Sequence, residues 1–490
     1  MNTQTIPNPL LKRVSLTPDR CMVKFENQNY TFKEVYEQAY KVAGRLQAQG
    51  MQKGDYVSVL LRNHIDTVVI LVSLQLLGGV AVILNNRLTA EELAWQINDS
   101  HSKLFITEKK FSEVLATLHV QTPTIWKEEL EDYPIEPVKI QKEINLTDVC
   151  TIMYTSGTTG KPKGVIQTYG NHWWSAMGSA LNLGLREDDC WLCSVPLFHI
   201  SGFSILMRSV FYGMRVVLHG SFNEKKTVEA IEDEKVTIMS VVTTMAVRII
   251  EEIESRKLPV HFRCMLLGGG PAPLPLLEKC VEKEIPVYQS YGMTETSSQI
   301  VTLSPEYSIS KLGSAGKALF PSQIKIIDTN GLEVEANQSG EIMVKGPNVT
   351  IGYLYQEKKE MFNDGWLKTG DIGYLDDEGF LYVQDRRSDL IISGGENIYP
   401  AEVEGVLTSH PKIQDAGVIG VKNEQWGQVP VAYVTTKEQI TEDEILIYCS
   451  ERLAKYKLPK RILFVDSIPR NASRKLLRRE LRSIYENGLE

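Results

Sequence analysis

The chain has 490 residues, 43% of them hydrophobic and 23% charged, the composition of a soluble globular protein too long for one ordinary core. A formal net charge of −8 argues against a general nucleic-acid binder and leaves room for a local basic pocket that takes small anions. Seven cysteines, an odd and scattered set, and a start lacking a charged segment that leads into an apolar one argue against secretion and a disulfide framework, so a cytoplasmic setting is expected.

Short apolar runs at 56–61, 80–84 and 104–107, then at 191–197, 215–218, 237–242 and 265–267, alternate with longer amphipathic segments. Strands separated by helices predict an α/β fold, parallel sheets in αβα layers. The run 68–84 carries no charge, but Gly78-Gly79 divides it into a helix over 66–77 and a β-branched strand over 80–84. No stable membrane insertion is therefore expected. Cys190 and Cys193 fall inside a strand-like run with no second Cys/His pair nearby, which predicts core packing rather than metal binding.

From about 313 to 384 the texture changes to short strands with turns at Asn330-Gly331, Asp364-Gly365 and Asp377-Glu378-Gly379, the pattern of an antiparallel β subdomain. Hydrophobic patterning lapses over 385–389, so the chain is divided into a large domain, 1–385, and a small α+β domain, 386–490. The small domain has strand-like runs at 417–421 and 431–436. Thr441 and Glu444 form a capping box before Ile445, Leu446, Cys449 and Leu453 at helical spacing.

The stretch richest in chemistry is Thr155-Ser156-Gly157-Thr158-Thr159-Gly160-Lys161-Pro162-Lys163-Gly164, which follows the strand-like run 151–154. Its glycines let the backbone approach a polyanion, its hydroxyls and amides donate hydrogen bonds, and its lysines supply charge. Two residues separate Gly157 from Gly160, and proline follows Lys161, so Walker A spacing is not met. A triphosphate held there needs a hard cation with oxygen ligands, for which Glu295, closing Tyr291-Gly292-Met293-Thr294-Glu295, is the metal candidate.

Together with Gln289-Ser290 before that string, Thr369-Gly370-Asp371, Asp385-Arg386-Arg387-Ser388-Asp389 and the late Ser473-Arg474-Lys475, these segments resemble the adenylate-forming superfamily of acyl-CoA synthetases, peptide-synthetase adenylation domains and luciferases. The resemblance implies ATP, Mg2+ and the co-substrate CoA. It implies that Thr155, Ser156, Gly157, Thr158, Thr159, Gly160 and Lys161 cradle the phosphates, and that Gly269, Gly270 and Pro271 form the adenine side. Ser290, Tyr291, Gly292 and Thr294 complete the nucleotide site, Tyr291 with a flat face for adenine and Thr294 with a hydroxyl near the α-phosphate. Asp371 would take the ribose hydroxyls, joined by Arg386. Lys475 would act with Thr294 and Glu295 in catalysis, bridging carboxylate and α-phosphate as charge grows. Arg474 stands where the superfamily usually has glycine. Ser388 would be the hinge of the small domain, and Gly394 and Gly395 would leave room for the thiol-bearing arm of CoA.

Longer strings, among them Pro196-Leu197-Phe198-His199-Ile200-Ser201-Gly202 and the stretch 388–404, resemble the branch of the superfamily that activates an aromatic dicarboxylate, 2-succinylbenzoate, for transfer to CoA. The carboxylate that is not activated needs a partner, and His199, Arg208, Ser298 and Gln299 are predicted around the acyl pocket. A ligase for another aryl or fatty acid, and a nucleotide-binding protein without catalysis, stay open beside this reading. Retention of Lys161, Glu295, Asp371 and Lys475 opposes the second. A homo-oligomer is compatible with everything above.

Overall fold

The computed structural model describes residues 4–155, 162–270, 272–357, 361–386, 389, 391–393, 396–398, 400–423, 426–453, 455–470 and 476–488. The first sheet has six strands in the order Lys163–Thr168, Val149–Thr155, Val80–Ile83, Tyr56–Leu60, Leu104–Thr107, Thr124–Trp126. All its neighbours are parallel except the first pair. The second sheet has nine strands, with Val287–Met293, Cys264–Gly268, Ile238–Val242, Cys190–Cys193, Arg215–Leu218 and Cys21–Phe25 as its parallel centre. Antiparallel strands close both of its edges, Ser298–Leu303 and then Lys317–Ala318 on one side and Gln28–Thr31 on the other.

The predicted strands are all present, and the uncharged run resolves into a helix and a strand. Helix Ile65–Leu77 ends where Gly78 adopts φ 74°, a left-handed turn that favours glycine, and strand Val80–Ile83 begins two residues later. Every residue of that helix except Asp66 is buried, which explains a sequence apolar all round. Among the described residues no helix is long and apolar enough to cross a membrane. Cys190 and Cys193 are buried in their strand, as core packing requires.

The antiparallel subdomain is built from Gln323–Ile327, Gly340–Lys345, Phe362–Asn363, Trp366–Leu375 and Leu381–Arg386. Its core residues Ile326, Ile342, Val344, Leu367 and Leu381 cluster with Ile300 and Val301, so it packs on the antiparallel edge of the second sheet. A separate sheet starts at Ile391–Ser393 and contains the long hairpin of Ile413–Asn423 and Gly427–Thr436. Helix Glu442–Ser450 begins with the expected capping box, Thr441 and Glu444 exchanging both hydrogen bonds. Helix Arg478–Asn487 is tied back by Arg478, which donates to Glu404 at 2.8 Å and to Asp389 at 3.2 Å.

Candidate active site

Strand Val149–Thr155 does not simply end in the phosphate loop; it returns as the antiparallel strand Lys163–Thr168, with Thr155 opposite Lys163. Both ends of the glycine-rich segment therefore start from one edge of the first sheet. Ser156, Gly157, Thr158, Thr159, Gly160 and Lys161 themselves lie outside the described residues, as do Pro271, Ser388, Gly394, Gly395 and Lys475. On either side of Lys475 the chain is joined by a bridge between Arg470 and Leu476, and Arg470 holds Asp415 through two bonds of 2.6 and 2.9 Å.

Glu295 is fixed by two contacts of its own and a third to its neighbour. It sits in the single turn Thr294–Thr296 after strand Val287–Met293. Its backbone oxygen accepts from the Thr350 amide at 2.7 Å, and its Oε1 accepts from the Tyr353 hydroxyl at 2.8 Å. The neighbouring Thr294 oxygen accepts from Gln167 Nε2 at 2.7 Å. Tyr353 in turn lies under Lys163, whose Nζ is 5.2 Å from the ring centroid, so the phosphate hairpin and the carboxylate share one support.

Behind Gln167 runs a buried relay. Thr151 donates its hydroxyl to Gln167 Oε1 at 2.8 Å and so accepts from His172 Nε2 at 3.0 Å. That leaves His172 Nδ1 a buried acceptor without a partner among the described residues, and burial pushes the ring's pKa down to about 3. The imidazole is neutral, with a hydrogen on Nε2.

The residues predicted for the nucleotide lie at the C-terminal ends of adjacent parallel strands, where open α/β sheets bind ligands. Gly269 and Gly270, at φ 85° and 159°, follow strand Cys264–Gly268. Ser290 Oγ donates to the Leu267 oxygen at 3.1 Å across the strand pair. A Cβ at Gly292 would lie 2.2 Å from the Ser298 oxygen, so only glycine fits at this bulge. Tyr291 reaches to the antiparallel subdomain, and its hydroxyl donates to Asp371 Oδ2 at 2.7 Å. Asp371 is buried and stands in register opposite Arg386, of which the backbone alone is described.

On the acyl side a hydrogen bond joins two of the four predicted residues. Arg208, on helix Ile200–Tyr212, donates through Nη2 to Ser298 Oγ at 3.2 Å and lies 4.9 Å from the Trp191 ring. His199 precedes the first turn of the same helix, and burial together with nearby Arg87 pushes its pKa down to about 4. Gln299 follows Ser298 where a φ of 117° and a register shift break regular strand alternation, and its side chain donates to Thr302 Oγ1 at 3.4 Å. Tyr353, Gln167 and His172 carried no local sequence signal; Tyr353 stands 58 positions from the carboxylate it holds.

Comparison with known proteins covers both halves of the chain. The AMP-binding enzyme family matches residues 10–354, and the AMP-binding enzyme C-terminal domain matches residues 402–475. A 2-succinylbenzoate–CoA ligase from Bacillus cytotoxicus is 52% identical over 485 residues, 99% of each chain. The o-succinylbenzoate CoA synthetase of Bacillus subtilis, solved with its acyl-adenylate intermediate, superposes with a TM-score of 0.93 at 50% identity over 98% of both chains. A structure of the same enzyme with ATP and magnesium ion gives a TM-score of 0.93 at 50% identity, covering 98% of this chain and 100% of that one. With both of its family regions matched, the chain belongs to the AMP-binding enzyme family.

Proposed function

We propose that the protein is an acid-thiol ligase that converts 2-succinylbenzoate, ATP and CoA into 2-succinylbenzoyl-CoA, AMP and diphosphate, a step of menaquinone biosynthesis. The observation that carries this reading is similarity at 52% identity across 99% of the chain to a ligase of that specificity.

The succinyl carboxylate attacks the α-phosphorus of ATP, a new P–O bond forms, and diphosphate leaves. The CoA sulfur then attacks the acyl carbon, and AMP departs with the former carboxylate oxygen. In the first step two anions meet, so a cation between them stabilises the transition state more than the ground state. Lys475 takes that role and Lys161 stands on the diphosphate side. Gly269, Gly270 and Pro271 receive adenine, Asp371 the ribose, held in orientation by Tyr291.

Magnesium suits Glu295: among the described residues no trio of His, Cys, Asp and Glu gathers, and a hard cation commonly takes one carboxylate and fills its shell with phosphate oxygens and water. Bound there, the ion neutralises charge on the departing diphosphate. The second step needs Lys475 withdrawn and a path for the thiol, which a rotation of 386–490 against 1–385 about Ser388 provides, with Gly394 and Gly395 beside the arm. A cytoplasmic location fits the cysteines, all seven free and six of them buried. Small-molecule substrates without a nucleic-acid partner complete the reading.

Diphosphate release across a panel of acids, with and without CoA, tests the substrate. The highest kcat/KM is expected for 2-succinylbenzoate; preference for a medium-chain fatty acid would overturn the substrate assignment.

A further inference from the structure

The turn that carries Glu295 is anchored through its backbone at every residue. The Thr294 carbonyl accepts from Gln167 Nε2 and the Glu295 carbonyl from the Thr350 amide, each at 2.7 Å. The Thr296 carbonyl accepts from Asn348 Nδ2 at 3.1 Å, and that of Ser297 from Ser175 Oγ at 2.7 Å. Such anchoring has work to do, because Ser297 and Ser298 stand at φ 54° and 117°, a region that costs a serine free energy and needs support from its surroundings.

Of these four donors Gln167 alone lies on strand Lys163–Thr168, the returning arm of the hairpin that holds the phosphate segment. It is wholly buried, and its amide has one orientation. The Thr294 oxygen can only accept, so Nε2 points to it, and Oε1 is left to accept from the Thr151 hydroxyl at 2.8 Å. Thr151 stands opposite Gln167 on the outgoing arm, Val149–Thr155, and its oxygen is held in turn by His172 Nε2. Both arms of the hairpin are thus joined, through one carboxamide, to the backbone of the residue before Glu295.

A second link runs mostly through backbone. Residues 350–354 cross from the Glu295 carbonyl to the same arm, where the Ile166 amide donates to the Gly352 oxygen at 3.0 Å and the Leu354 amide to the Gly164 oxygen at 2.8 Å. Substitution of side chains leaves most of that link in place, so Gln167 is the tie that a single change can cut. With the tie intact, a ligand that fixes the hairpin also fixes the Glu295 turn, and the second ligand has less left to order.

We propose that Gln167 is a positioning residue that couples the two ligands of the nucleotide site: through it, magnesium at Glu295 and the phosphates of ATP tighten each other's binding. This rests on the reading that the chain binds ATP with magnesium at Glu295.

The test is calorimetric titration of ATP into the protein, without acid or CoA, in magnesium and in a chelator, for the wild type, Gln167→Leu, Thr151→Val and Ser175→Ala. Magnesium binds ATP in solution equally in every titration, so differences between the proteins report the protein. Gln167→Leu is expected to lose roughly tenfold of the gain in ATP affinity that magnesium brings, with the affinity in chelator little changed. Thr151→Val keeps the bond to Thr294 but releases the amide behind it, and is expected to lose roughly threefold. Ser175→Ala removes an anchor of the same turn that does not come from the hairpin; it should melt lower and keep the wild-type gain. A full gain in Gln167→Leu, or an equal loss in Ser175→Ala, would overturn the coupling and leave Gln167 a packing residue. Where Gln167→Leu does not fold, Thr151→Val decides, and an unchanged gain there overturns the proposal. A wild type whose ATP affinity ignores magnesium would instead overturn the metal reading, and the coupling with it.

Discussion

The Tyr291 hydroxyl donates to Asp371 Oδ2 at 2.7 Å, joining the end of a parallel strand to an antiparallel strand 80 positions later. The bond fixes the plane of the carboxylate assigned to the ribose. Tyr291→Phe is expected to raise KM for ATP about tenfold, the scale of a hydrogen bond to a charged group, with a smaller change in kcat. Asp371→Asn should do more, since it alters the acceptor itself. Steady-state kinetics at saturating acid and CoA reads both, and an unchanged KM for ATP in either variant would remove the ribose assignment.

Glu295 and Tyr353 form the second pair, 2.8 Å apart. Glu295→Gln is expected to need much more magnesium for half-maximal rate, and Tyr353→Phe to shift the same titration modestly, because the phenol orients the carboxylate without replacing it. A chelator should abolish turnover in all three proteins. Identical magnesium titrations for the wild type and Glu295→Gln would exclude the carboxylate as a ligand.

Acid should destabilise the protein through His172. Its folded pKa of about 3 lies below the ordinary value of 6.5, so the unfolded chain binds the extra proton more readily. The stability associated with the neutral ring is complete above about pH 6.5 and falls by about 1.4 kcal/mol per pH unit as pH drops toward 3. His172→Gln should therefore melt lower at pH 7 yet lose less between pH 6.5 and pH 4. Parallel melting curves for both proteins across that window would contradict the buried neutral imidazole.

Several elements were legible because their causes are local. Gly78-Gly79 divides the apolar run where a left-handed turn is required, and Thr441 with Glu444 marks a helix start by side-chain bonds three residues apart. The phosphate segment and the Tyr291–Glu295 string were legible for the same reason, with glycines, hydroxyls and charges gathered in a few residues. Sheet order was not: Cys21–Phe25 pairs with Arg215–Leu218, and nothing in either strand names the other. The same distance hid Tyr353 and the Gln167–Thr151–His172 relay, whose roles exist only after folding.

Lys475 and Ser388 separate the two half-reactions. Lys475→Ala is expected to slow diphosphate release by about two orders of magnitude, the loss typical of one transition-state donor, and to spare thioester formation from supplied acyl-adenylate. Ser388→Pro, with φ fixed near −65°, should keep diphosphate release and lose CoA transfer. Equal losses in both half-reactions for Lys475→Ala, or normal thioester turnover in Ser388→Pro, would contradict these roles.

The central claim is an acyl-adenylate formed from 2-succinylbenzoate, and oxygen-18 in the succinyl carboxylate follows it directly. After turnover with ATP and CoA, mass spectrometry of the nucleotide should find one labelled oxygen in AMP, because the attacking carboxylate oxygen stays on the α-phosphorus when the thiol displaces AMP. Unlabelled AMP, or label in inorganic phosphate beside ADP, would contradict adenylation and place this chain's chemistry elsewhere.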